Sequence, residues 1–104
     1  MREEGLIVSE FANDPDMVEL VEGFVARIPT RRAALWEAYE SRNAVDLKRL
    51  AHQLKGAAGG FGFPILTSVA GTLEGAIEIN GDVTSVEAQL RELDGLLLRI
   101  RVRT

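Results

Sequence analysis

At 104 residues, with 46% apolar and 27% charged side chains, the chain has room for one hydrophobic core and the composition of a folded domain, which excludes a disordered tail or a collagen-like repeat. Cysteine is absent, so disulfide frameworks, thiolate metal sites, iron–sulfur clusters and cysteine nucleophiles are excluded as well. A formal charge of −4 argues against a sequence-independent grip on nucleic acid, and no apolar run approaches the roughly 18 residues of a membrane span, so no membrane insertion and a cytoplasmic location are expected.

Residues 1–13 show little periodicity and read as an N-terminal extension to a helical domain spanning 14–104. Asn13-Asp14-Pro15-Asp16 is a helix-start signal, because proline suits a first turn whose N–H groups are unpaired and acids suit the positive helix end. Met17, Leu20, Val21, Phe24, Val25 and Ile28 then form one apolar stripe at helical spacing, ending before Pro29. Thr30 is predicted to cap a second helix, running to about Arg42, with Ala34, Leu35, Ala38 and Tyr39 inward and Trp36 at the stripe's edge. Asn43, followed three residues later by Asp46, predicts a third helix from about Ala44.

Gly62 is placed to end the third helix and Pro64 to open a fourth, whose apolar face is Ile65, Leu66, Val69, Leu73, Ala76 and Ile77. Asn80-Gly81-Asp82 breaks the pattern, and Thr84 with Glu87 reads as a capping box for a fifth helix carrying Val86, Leu90, Leu93, Leu97 and Ile100. The arginines of the terminal LLLRIRVRT read as complements to a helix dipole, in preference to a lipid anchor. Without sustained period-two alternation or a long repeat, the expected fold is all-α: an antiparallel up-and-down four-helix bundle with an additional N-terminal helix.

The third helix carries the only histidine. On a wheel of about 100° per residue, Leu47, Leu50, Leu54, Ala57 and Phe61 gather opposite His52, with Ala51 and Ala58 on one shoulder of that stripe. His52 is therefore predicted to face away from the core, on a face shared with Lys48, Arg49, Lys55, Gly56 and Gly59. Gly56, Gly59 and Gly60 together weaken a helix by about 2–3 kcal/mol, a loss that open access to the ring would justify. Tight packing on the bundle's own core explains Gly56 and Gly59 less well, because both lie far from the apolar stripe. A metal site is not expected around one imidazole without a second histidine or any cysteine. Ser9, Ser41, Ser68 and Ser85 lack a nucleophile-elbow context, and no Gly-rich phosphate loop is present. What remains is an imidazole acting alone; with a reference pKa of about 6.5 such a ring is largely neutral at pH 7, and a free ring nitrogen can act as nucleophile without a dedicated base.

AHQLKGAAGGFGF, residues 51–63, resembles the signature of histidine-containing phosphotransfer domains: a histidine, Lys and Gly three and four positions on, then small residues ending in Phe-Gly. The likeness extends over residues 14 to about 100, through DPDMVELVEGFV, the Ile-Pro that follows and the Leu73-Glu74 pair. The resemblance implies a four-helix bundle whose histidine takes a phosphoryl group from an aspartyl-phosphate on a response-regulator receiver domain and passes it to another receiver. His52 would then be the phosphoacceptor, Lys55 the cation near the phosphoryl oxygens and Gly56 the gap through which the receiver closes over the ring. Lys48, Arg49, Gly59 and Gly60 are assigned to docking of the partner.

The implied partners are receiver domains and a hybrid sensor histidine kinase, the chain itself acting as a monomer. No cofactor is expected on this chain; Mg²⁺ would belong to the receiver. The role is that of a phosphotransfer intermediate and not an autonomous kinase. Two other readings keep the same bundle: a non-phosphorylated helical adaptor, and the phosphoacceptor domain of a chemotaxis-type histidine kinase. Glu74 stands where some members of the family have glutamine; a carboxylate there would repel phosphate, so Glu74 is left outside the expected site. Gly71 and Gly75 are assigned to structure.

Overall fold

A computed structural model describes residues 5–103; the first four residues of the expected extension and Thr104 lie outside the described residues. The order is β1 (Ile7–Val8), α1 (Val18–Ala26), α2 (Ile28–Glu40), α3 (Ala44–Gly60), α4 (Pro64–Asn80), α5 (Glu87–Leu97) and β2 (Ile100–Arg101). Helices α2 to α5 pack around one core as a four-helix bundle, with α1 as the additional helix against its side. Val21 and Phe24 of α1, Leu35 and Ala38 of α2, Leu47, Ala51, Leu54 and Ala58 of α3, Leu66, Leu73 and Ile77 of α4, and Leu90, Leu93 and Leu97 of α5 are all buried.

Within α3 the fully buried residues include Ala51 and Ala58, while Leu50, Ala57 and, just past the helix end, Phe61 are half-buried, so the core side is turned toward the shoulder of the expected stripe. The physical reason is the close α3–α4 pairing, which favours small side chains between two backbones. Leu20 of α1 and Ile65 of α4, expected inside, are exposed, and Ala70 of α4 is buried.

Helix boundaries follow local chemistry. The chain breaks for the single residue Arg27 between α1 and α2, and Pro29 sits inside the first turn of α2, where its missing N–H costs nothing. Thr30 therefore lies within α2 and does not cap it. Asn43 does cap α3: its side-chain oxygen accepts the Asp46 N–H at 3.0 Å, while the Asp46 carboxylate pairs with Arg49 instead of reaching back. Gly62, at φ +88°, and Gly81, at φ +77°, end α3 and α4 in the left-handed conformation that glycine adopts most readily. The Thr84–Glu87 capping box does not form. Asp82 takes both the N–H and the hydroxyl of Thr84 at 3.0 Å, and α5 begins only at Glu87.

Ile100 leaves α5 and pairs in β2 with Ile7 of β1, a two-residue parallel contact too short to carry a period-two signal in sequence. Two of the arginines beyond α5 serve backbone carbonyls: Arg101 donates to Leu98 and Ile100, and Arg99 reaches across to Gly5 at 2.9 Å. The segment after β1 then clamps the α3–α4 turn. Ser9, buried, donates its hydroxyl to the Phe61 carbonyl at 2.7 Å, and the Glu10 N–H donates to the Gly62 carbonyl at 2.9 Å. Phe24 of α1 stacks on Phe61 and Phe63 with centroids 5.0 and 5.8 Å apart, so two separate segments fix the turn that follows the histidine helix. Among the described residues no helix is long and apolar enough to cross a membrane.

Candidate functional site on the α3–α4 face

The three-residue connection after α3 makes α4 run back alongside it, and side chains meet in a fixed antiparallel register. Lys48 faces Glu78, His52 and Lys55 both reach Glu74, and Gly59 lies beside Thr67. His52 stands outward as its helical phase requires, its side chain 67% exposed. Its Nδ1 lies 2.9 Å from Glu74 Oε2, and Lys55 Nζ lies 3.1 Å from Glu74 Oε1, so one carboxylate serves both groups with separate oxygens.

That carboxylate is only 17% exposed. The hydrogen bond from Lys55 is the main influence that holds its pKa below the usual carboxylate range; partial burial opposes it, and the bond to His52 adds to it. An ionised carboxylate can only accept, so the hydrogen on the Nδ1···Oε2 line belongs to the ring. With Nδ1 protonated in the neutral imidazole, Nε2 carries the lone pair. In that form the ring is held through Nδ1 by α4, and its lone-pair nitrogen is the one not engaged by Glu74.

The glycines around the ring divide into two kinds. A Cβ built on Gly56 or on Gly60 meets nothing within 4 Å, which leaves open space on the solvent side of the helix. A Cβ on Gly59 would stand 3.1 Å from Thr67 Oγ1, whose hydroxyl donates to the Lys55 carbonyl at 3.1 Å; glycine there lets α3 and α4 approach. Gly71 gives Lys55 a seat, since a Cβ at that position would lie 3.2 Å from Lys55 Cδ, while Gly75 faces open space. Lys48 is held by Glu78 at 2.8 Å, a bond that raises its pKa, and Arg49 is held by Asp46 on its own helix.

Sequence reasoning placed Glu74 outside the site, and the structure puts its carboxylate between His52 and Lys55. Lys55 pairs with that carboxylate and offsets its negative charge. The signal was present: a turn centred on Phe61-Gly62-Phe63 sets Glu74 opposite His52 in an antiparallel hairpin. Among the described residues, no cluster of three or more His, Asp or Glu side chains could hold a metal ion.

Compared with known families, residues 19–102 match the model of the Hpt domain. Neither the curated proteins nor the solved structures compared with the chain gave a match.

Proposed function

The chain belongs to the Hpt domain family, the histidine phosphotransfer modules of two-component signalling, and from that premise we propose that it is a phosphorelay intermediate carrying its phosphoryl group on His52 Nε2. The donor is the aspartyl-phosphate of a receiver domain, as in a hybrid sensor histidine kinase, and the acceptor is the aspartate of a second receiver. The observation that supports this most is the exposed ring with Nδ1 engaged by Glu74 and Nε2 left as the lone-pair nitrogen.

Phosphoryl transfer asks mainly for in-line positioning and charge neutralisation, so a surface helix can serve without a pocket if the partner brings the rest. The receiver would supply the phosphorylated aspartate and Mg²⁺. On this chain His52 is the nucleophile and Lys55, two-fifths exposed beside it, is the cation within reach of the incoming oxygens. Gly56, with open space where a side chain would stand, leaves the approach to the ring clear.

The test is transfer of labelled phosphate from a phosphorylated, Mg²⁺-loaded receiver. Acid-labile, alkali-stable label on the wild-type chain and none on His52→Gln supports the relay. Unlabelled chain across a broad receiver panel, with partner binding undiminished in His52→Ala, would instead identify a helical adaptor. Labelling by an ATP-bound kinase catalytic domain without any receiver would identify the phosphoacceptor domain of a chemotaxis-type kinase.

A further inference from the structure

Glu74 does more than select a tautomer in the resting site, a statement that rests on the relay reading above. Once Nε2 carries phosphorus, the fate of the second ring nitrogen decides how the group can leave. In the accepting step the P–O bond to the receiver aspartate breaks with its electron pair going to that aspartate. The N–P bond forms from the Nε2 lone pair, and Nδ1 keeps its hydrogen, so the ring becomes cationic. In the donating step the N–P bond breaks with its pair returning to Nε2, and a P–O bond forms on the next aspartate. If the hydrogen is still on Nδ1, the ring departs as neutral imidazole. If it has been lost, the ring must depart as imidazolate, a far poorer leaving group.

We infer that Glu74 is a positioning residue for the phosphorylated state: its Oε2, 2.9 Å from Nδ1, retains the ring hydrogen on phospho-His52 and so keeps the chain a ready phosphoryl donor. Lys55 on Oε1 at 3.1 Å completes the device, because a carboxylate stabilised as an anion does not itself take the proton from the ring. The other charged groups near the ring on both helices are already engaged: Lys48 with Glu78 on α4, and Arg49 with Asp46 on α3. Glu74 is thus the anion that answers the new positive charge.

Phosphoramidate, which gives its phosphoryl group to exposed imidazoles with release of ammonia, loads the chain without a partner. In the loaded wild type, ¹⁵N NMR at mildly alkaline pH is expected to show Nδ1 still bearing hydrogen, whereas loaded Glu74→Gln has lost it. Transfer from the loaded chain to a Mg²⁺-bound receiver domain should slow about tenfold in Glu74→Gln, the change that about one pKa unit of charge stabilisation represents. Glu74→Asp, with the charge on a shorter stem, should fall between them.

The same ring protonation in wild type and Glu74→Gln, or equal rates of transfer, would overturn the inference. A wild-type phospho-chain that no receiver can discharge would instead count against the relay reading, and the NMR comparison would still decide the role of Glu74.

Discussion

Lys48 Nζ meets Glu78 Oε1 at 2.8 Å, one turn of α3 before His52 meets Glu74, so two charge pairs cross from α3 to α4 in the same register. They differ in what surrounds them. The Lys48–Glu78 pair is open to solvent on both sides, with side chains 39% and 64% exposed, whereas Glu74 is largely covered. Pairs this exposed contribute little to stability, because solvent screens them. Lys48→Ala is therefore expected to leave the melting temperature almost unchanged while slowing association with an acidic receiver surface. Stopped-flow binding at increasing salt checks this: the wild-type advantage should shrink as ionic strength rises. An effect insensitive to salt would remove Lys48 from the docking face.

Gly56 and Gly59, three residues apart, are expected to answer substitution in opposite ways. Gly56→Leu places a side chain in open space, so helix propensity should raise stability by up to about 1 kcal/mol while phosphotransfer is lost through blocked access. Gly59→Leu drives a side chain toward Thr67, 3.1 Å from where its Cβ would stand, and disturbs the Thr67–Lys55 hydrogen bond. Overpacking of this kind costs about 1–3 kcal/mol, so the second variant should melt lower. Thermal unfolding and labelled-phosphate transfer, measured on both proteins, separate the two roles.

Much of this was legible in the sequence because the signals were local or periodic. The outward phase of His52 follows from a wheel, and the ends of α3 from Asn43 and Gly62. What was not legible depends on tertiary pairing. The partnership of Ile7 with Ile100 joins two-residue strands from opposite ends of the chain, with no pattern in either. Thr84 lost its capping role to Asp82, a competition between two equally local hydrogen bonds that composition does not rank. The contact of Glu74 with His52 was not legible because it depends on the α3–α4 register, which also brings Lys55 to the other carboxylate oxygen.

On the face formed by α2 and α5, Asp94 ties the bundle together and should make it acid-sensitive. Burial is the largest single influence on this carboxyl and pushes its pKa up, yet the hydrogen bonds from Arg32, at 2.6 and 3.1 Å, and from Trp36 together outweigh it and leave the pKa depressed. A depressed folded-state pKa means stability that is complete above the unfolded carboxylate value of about 4 and is lost as pH falls through the folded value. Chemical unfolding followed by the fluorescence of Trp36, the only tryptophan, should show the wild type weakening below about pH 4 more steeply than Asp94→Asn. Parallel curves would assign the acid response to Glu74 and Glu87, whose carboxyls are also depressed by cationic neighbours.

Ser9 offers a test of whether the clamp on the α3–α4 turn serves the fold or the chemistry. Its buried hydroxyl donates to the Phe61 carbonyl at 2.7 Å and accepts the Phe11 N–H at 2.9 Å, so Ser9→Ala leaves two backbone groups without partners in a place that water reaches poorly. Such a loss costs about 1–3 kcal/mol. Gly62→Ala should be worse, since φ +88° strains any L side chain and its Cβ would stand 2.8 Å from the Glu10 nitrogen. Both variants should lower the midpoint of denaturant unfolding. Neither touches His52, Lys55 or Glu74, so the rate of phosphoryl transfer measured well below the unfolding transition should match the wild type. A transfer rate that falls in step with stability would mean that the turn holds α3 and α4 in the register on which the shared carboxylate depends.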